Sequence, residues 1–212
     1  MEKMIYQHFI SSENNAKILI WKITETEEEL ITSLANFKKY EPEFIVLKNS
    51  KRKLEFLASR IALNYLAGQT VYIAYDTSGK PFLLNEKLHI SISHSRQWVA
   101  VMLAGTNCGI DIECPTDKIL KVYKRFLNDQ EQKDLFQNTG DIVKLQLAWS
   151  AKEALYKIIG EKAVDFSGQL QIAPFEAQQE GRIEAVHLPA NKMYELAYKA
   201  TPGFNLVYCT TD

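Results

Sequence analysis

Two acidic side chains, Asp111 and Glu113, stand two residues apart in the segment GIDIE, residues 109–113. Residues two apart on an extended strand point to the same side, so the two carboxylates would lie side by side. Ile110 and Ile112 would then point the other way, into the core. Adjacent carboxylates repel each other unless a cation lies between them, and carboxylate oxygens suit magnesium. The pattern predicts either a magnesium site or an edge strand with two solvated acids.

A third carboxylate lies in the segment WSAKEALYK, residues 149–157. On a helix, Trp149, Glu153 and Lys157 are four residues apart and share one face. Glu153 and Lys157 would then form either an ordinary surface ion pair or a charged pair facing a cleft. The flanking Trp149 and Leu155 indicate a largely buried helix and favour the cleft.

A histidine ends the segment SISHS, residues 91–95. If this segment is a strand, Ser91 and Ser93 point to one side and His94 stands at its end. His94 would donate to a phosphate oxygen, act as a base, or cap a turn. Ser93 and His94 are adjacent, so their side chains diverge on a strand and do not predict a nucleophile pair.

Basic residues also cluster locally. Lys51 and Arg52 begin a predicted helix, where backbone N–H groups favour an anion, and Lys80 follows the turn at Gly79. A phosphate site and a merely solvated cluster both account for them.

The composition limits the choice of function. The 212 residues carry a net charge of −1, so no overall positive field would hold nucleic acid or an anionic membrane. The three cysteines form no CxxC pair, which argues against a disulfide framework and a zinc ribbon. The sequence has neither a signal-peptide pattern nor an apolar run of membrane-spanning length. We therefore expect a cytoplasmic protein.

The pattern of elements predicts an α+β fold. Helical spacing covers residues 24–40, 51–67 and 141–159, with shorter helical segments at 117–126 and 129–137. Strands are expected at 87–93, 98–104 and 109–113, and short strands from residue 170 onward. Each half of the chain runs from strand to long helix to several short strands, which indicates two related halves.

The order of these segments resembles the 4′-phosphopantetheinyl transferase superfamily, in its Sfp-type, two-half form. The resemblance covers residues 48–168. It is carried by SGKP (78–81), ISISHS (90–95), GIDIE (109–113), KRFLNDQE (124–131) and WSAKEALYK (149–157). It implies two similar α/β halves related by a pseudo-twofold, at residues 1–105 and 106–212, with short sheets packed against helices and the site between the halves.

The resemblance also implies an activity. Such a protein transfers the 4′-phosphopantetheine arm of coenzyme A, with Mg²⁺, to a serine of an apo acyl or peptidyl carrier protein and releases 3′,5′-ADP. The alternatives are a non-catalytic member that binds coenzyme A or a carrier protein, and a magnesium-dependent nucleotide hydrolase. Because the two-half form builds its site within one chain, the resemblance implies a monomer.

The family's roles carry over to residues of this sequence. Asp111, Glu113 and Glu153 would bind the metal, and Glu153 would act as the base, directly or through a metal-bound water. Lys157 would contact the phosphates and assist the leaving group. Glu131 matches an acidic position whose role the motif does not define. The expected coenzyme A contacts are His94 with Ser93 beside it, Lys80, and Arg52 with Lys51 as a possible partner.

Overall fold

The computed structural model describes residues 7–10, 16–137, 140–161 and 163–211. The described residues divide into two compact units, those up to residue 107 and those from 108 to 211. The predicted domain boundary after residue 105 and the predicted position of the site between the halves stay predictions.

The first unit packs helices on an antiparallel sheet. Its elements are β1 (Gln7–Ile10), β2 (Lys17–Lys22), α1 (Glu27–Ser33), α2 (Phe37–Ile45), α3 (Ser50–Ala67), β3 (Ile73–Tyr75), β4 (Pro81–Leu83), β5 (His89–Ser95) and β6 (Trp98–Ala104). The sheet has the order β1-β2-β6-β5, and β3 pairs with β4 as a separate hairpin. Leu57 and Leu63 of α3 pack with Val99 and Val101 of β6 in the core of this unit.

Local signals set the ends of α3. The side chain of Asn49 accepts a hydrogen bond from the N–H of Arg52 and caps the first turn. Gly68 ends the helix in the left-handed conformation, at φ 68°, which glycine adopts without steric cost. The predicted helix over residues 51–67 is confirmed.

The second unit packs a long helix on a five-stranded antiparallel sheet. Its elements are β7 (Cys108–Glu113), α4 (Asp129–Gln132), α5 (Ile142–Ile159), β8 (Leu170–Ile172), β9 (Glu180–His187), β10 (Lys192–Ala200) and β11 (Asn205–Thr210). The strand order is β7-β11-β10-β9-β8. Asp141 caps α5 and Gly160 ends it. Leu147, Ala151 and Leu155 of α5 are fully buried in the core of this unit.

The fold class α+β with two halves is confirmed, since each unit has one 18-residue helix on one antiparallel sheet. The pseudo-twofold relation stays a prediction. Among the described residues, no helix is both long enough and apolar enough to cross a membrane.

Two of the predicted helices were wrong in detail. The predicted helix over residues 24–40 is two helices, α1 and α2, because Leu34 between them is extended and buried. Pro42 lies inside α2 and does not stop it. Residues 117–126 form two short 3₁₀ turns, at Asp117–Lys121 and Tyr123–Arg125. A 3₁₀ turn brings residues i and i+3 together, so its sequence spacing resembles that of an α-helix.

Candidate active site

The acidic strand β7 lies directly against helix α5. A Cβ atom on Gly109 would stand 2.1 Å from the backbone oxygen of Ala154, far inside van der Waals contact. Glycine is therefore required at this position for strand and helix to approach so closely. The contact brings the part of α5 that carries Glu153 and Lys157 over the face of β7 that carries Asp111.

Lys157 and Asp111 form the central ion pair of this site. The Lys157 Nζ donates to Asp111 Oδ1 at 2.9 Å and to the backbone oxygen of Ile110 at 2.6 Å. Asp111 is buried and Lys157 is partly buried. Ile110 and Ile112 are fully buried as well, so β7 is covered on both faces. β7 is an edge strand of its sheet, as the alternative expected, but Asp111 is buried and not a solvated acid.

The charges of Asp111, Glu113 and Lys157 all act on Glu153. Burial raises its pKa to about 7, and repulsion from Asp111 and Glu113 adds to the increase while Lys157 opposes it. The three carboxylates predicted from the sequence therefore share one electrostatic environment. Among the described residues, no group of three or more His, Cys, Asp or Glu side chains is arranged to hold a metal ion.

Lys152, the residue before Glu153, fixes α5 from inside the second unit. Its Nζ is completely buried and donates to the backbone oxygens of Phe126, Phe166 and Leu170 at 2.7–2.8 Å. It also pairs with Glu131 at 2.7 Å. Burial lowers the pKa of Lys152, and Glu131 acts in the opposite direction. The acidic position of KRFLNDQE is thus a buried counter-ion that helps to hold the helix carrying Glu153.

A pocket of about 290 Å³ in the first unit brings together two other predicted residues, Arg52 and His94. Arg52 Nη1 lies 2.8 Å from His94 Nε2. Phe56, Ile92 and Pro81 supply apolar walls. A pocket with apolar walls and a few convergent polar groups is typical of small-molecule sites.

The remaining predicted contacts lie outside this pocket. Lys80 lines a second pocket, of about 480 Å³, and donates to Asn107 Oδ1 at 3.0 Å. Pro81 lines both pockets. Lys51 is mostly exposed and pairs with Glu55 at 3.3 Å. Ser93 is buried and points away from His94, as neighbours on a strand do.

Two polar residues of the first pocket, Glu55 and Ser59, were not predicted from the sequence. Both are on α3 and almost completely buried. Their spacing from Arg52, at three and seven residues, is the helical signal that places them on its face.

Comparison with known proteins agrees with this arrangement. The family model of the 4′-phosphopantetheinyl transferase superfamily matches residues 107–209, which include β7 and α5. A putative 4′-phosphopantetheinyl transferase of Haemophilus influenzae is 33% identical over 96 residues, 42% of this chain and 41% of that protein. The 4′-phosphopantetheinyl transferase Sfp of Bacillus subtilis is 29% identical over 136 residues, 62% of this chain and 59% of that protein.

The chain thus spans about half the length of these two curated relatives. The 4′-phosphopantetheinyl transferase psf-1 of Bacillus pumilus is 27% identical over 177 residues, 79% of this chain and 74% of that protein. Residues 107–209 thus match the 4′-phosphopantetheinyl transferase superfamily, and the chain is similar to Sfp-type transferases. These similarities support the family predicted from the motifs.

Proposed function

We propose that this protein transfers the 4′-phosphopantetheine arm of coenzyme A to a serine of an apo acyl or peptidyl carrier protein. The observation that carries the proposal is the group of Asp111, Glu113, Glu153 and Lys157, whose charges act on one another in the second unit. The three relatives named above are called 4′-phosphopantetheinyl transferases, which supports the same reaction.

In the proposed reaction the serine oxygen attacks the β-phosphorus of coenzyme A. A new phosphorus–oxygen bond to serine forms, and the bond to the departing 3′,5′-ADP breaks. Glu153 takes the serine proton, and its pKa of about 7 suits a base that works near neutral pH. Lys157 would stabilise the negative charge of the leaving group.

The chemical types of the donors in the second unit suit magnesium, although the described side chains are not gathered as a ready-made metal site. Asp111, Glu113 and Glu153 supply hard oxygen ligands. Burial first, and then repulsion from Asp111 and Glu113, raise the pKa of Glu153, so a cation here would relieve unfavourable charge. These three residues would hold Mg²⁺. When bound, the ion would offset charge on the diphosphate oxygens.

The first unit would bind the nucleotide end of coenzyme A. Arg52 and His94 meet in one pocket with apolar walls, which supports phosphate contacts from these two residues. Three further residues do not line this pocket but remain proposed contacts of coenzyme A: Lys51, Lys80 and Ser93. We also propose a cytoplasmic monomer, in which Cys108, Cys114 and Cys209 are buried and not joined in disulfides.

Incubation with coenzyme A, Mg²⁺ and an apo carrier protein tests the proposal. Intact-protein mass spectrometry should show the carrier heavier by one phosphopantetheine group, attached to a serine. An unmodified carrier together with free phosphopantetheine would instead indicate a hydrolase. An unmodified carrier with coenzyme A bound but intact would indicate a binding protein.

A further inference from the structure

The pocket proposed to bind an anion contains a buried carboxylate, Glu55. Only 4% of its side chain is exposed. Burying a carboxylate is unfavourable unless cations and hydrogen bonds compensate for the lost water. An acid on the wall of an anion pocket therefore requires a structural reason.

Glu55 meets three basic side chains. Its Oε2 accepts from Arg52 Nη1 at 3.2 Å, and its Oε1 lies 3.3 Å from Lys51 Nζ and 3.4 Å from His94 Nδ1. Lys51 and Arg52 come from the first turn of α3, whereas His94 comes from β5. Glu55 is thus the common partner of basic side chains from two elements.

Arg52 and His94 also contact each other, which closes a ring of three side chains. Arginine only donates, so at 2.8 Å the Nε2 of His94 accepts from Arg52. The hydrogen of the neutral imidazole then lies on Nδ1, which faces Glu55. Glu55 thus fixes the position of Arg52 through a hydrogen bond to Oε2. Within the described part of the chain its Oε1 makes no hydrogen bond, so its charge beside Nδ1 favours this orientation of His94 electrostatically.

These two side chains need such a partner. The Arg52 side chain is 60% exposed and that of His94 is 34% exposed, so packing alone does not fix them. Holding a flexible side chain in its binding position before the ligand arrives reduces the entropy lost on binding. The charge of Glu55 also repels an anion, but Arg52 and Lys51 already compensate for that charge.

We propose that Glu55 is a positioning residue that holds Arg52 and His94 together at the first pocket so that both meet a phosphate group of coenzyme A. This inference rests on the proposed function. Glu55 acts through its two neighbours and makes no contact with the ligand. Positioning outweighs repulsion, so loss of the Glu55 charge weakens binding.

The test is calorimetric titration of the full chain with coenzyme A. Glu55→Gln, which keeps the shape and removes the charge, should raise the Kd by about tenfold. With saturating coenzyme A, kcat should stay within about threefold of wild type, because the change affects binding alone. Glu27→Gln is the matched control. Glu27 of α1 pairs with Lys53 of α3 at 3.1 Å, neither residue lines the pocket, and the Kd of this variant should not change.

A double-mutant cycle separates positioning from general destabilisation. In an Arg52→Ala background, Glu55→Gln should change the Kd by only about twofold, since one of the groups it positions is gone. Equal effects in both backgrounds would overturn the inference. So would an unchanged or lower Kd for Glu55→Gln alone.

Folding and the proposed function are controlled separately. If circular dichroism shows that Glu55→Gln is unfolded, Glu55→Asp replaces it. This variant keeps the charge but shortens the side chain. It should also raise the Kd for coenzyme A, and it enters the same double-mutant cycle with Arg52→Ala. Wild-type protein that does not bind coenzyme A would contradict the proposed function itself. If wild type and a folded Glu55 variant bind coenzyme A with equal affinity, only this inference is contradicted.

Discussion

Glu153 is the carboxylate whose proton affinity the second unit changes, and this predicts a pH effect on stability. Its pKa is about 7 in the folded protein against a reference value of 4.5. The folded state therefore binds more protons than the unfolded state between these values, and the free energy of unfolding falls as pH rises from 4.5 to 7. The contribution is complete below pH 4.5 and amounts to at most about 3 kcal/mol.

Urea denaturation in EDTA at a series of pH values measures this effect. Glu153→Gln cannot titrate at this position. As the pH rises from 4.5 to 7, the free energy of unfolding of wild type should therefore fall relative to that of Glu153→Gln. Parallel stability curves for the two proteins would show that Glu153 titrates normally and would remove the reason for assigning it as the base.

Asp111 is the acid that Lys157 contacts directly, and its replacement tests the site. Asp111→Asn keeps the side-chain size but removes one proposed metal ligand, so transfer should fall by at least about 100-fold. Turnover of an apo carrier protein measures the loss. Glu195→Gln is the control, since Glu195 pairs with Arg182 on the exposed surface. Full activity of folded Asp111→Asn would show that the metal assignment is wrong.

The close contact of β7 with α5 makes Gly109 sensitive to substitution. In Gly109→Ala the new Cβ would collide with the backbone oxygen of Ala154, so α5 must move and carry Glu153 and Lys157 away from Asp111. We expect a loss of about 1–3 kcal/mol in the free energy of unfolding and a clear loss of transfer.

Gly105→Ala provides the comparison for this prediction, because a Cβ there meets no atom within 4 Å. Chemical denaturation and turnover should be close to wild type for Gly105→Ala. Equal behaviour of the two alanine variants would mean that the strand and the helix do not need this close approach.

The buried Lys152–Glu131 pair should contribute strongly to holding α5. Lys152→Met leaves the Glu131 charge and three carbonyl groups without their donor, which should cost about 3–5 kcal/mol. Adding Glu131→Gln should recover part of that loss. Lys144→Met is the matched control, because the partner of Lys144 is the exposed Glu176, which water can solvate; we expect a loss below about 1 kcal/mol. Equal losses in urea denaturation would contradict this account.

Across the chain, the sequence predicted elements whose ends carry strong local signals. Helical spacing, with Gly68 after the first helix and Gly160 after the second, predicted both long helices. The caps of their first turns, Asn49 and Asp141, were not recognised from the sequence. The break at Leu34 was not predicted, because it depends on burial against distant residues rather than on a turn residue.

The same distinction applies to the candidate site. Asp111, Glu113, Glu153 and Lys157 were predicted because strand and helix periodicity place them on defined faces. The role of Gly109 was not predicted, because it depends on how closely β7 approaches α5, and these two elements are far apart in sequence. Glu55 was missed because a glutamate near Lys51 and Arg52 has the pattern of an ordinary surface ion pair, and only the fold shows it buried beside His94.

In the proposed function, the carboxylates of β7 and α5 act together with a divalent cation on the diphosphate of coenzyme A. Calorimetric titration of coenzyme A, in EDTA and then in excess Mg²⁺, tests it most directly. Wild type should bind coenzyme A at least about tenfold more tightly with Mg²⁺, and Asp111→Asn should lose most of that difference. Equal affinity of wild type under both conditions, with transfer undiminished in EDTA, would contradict the claim.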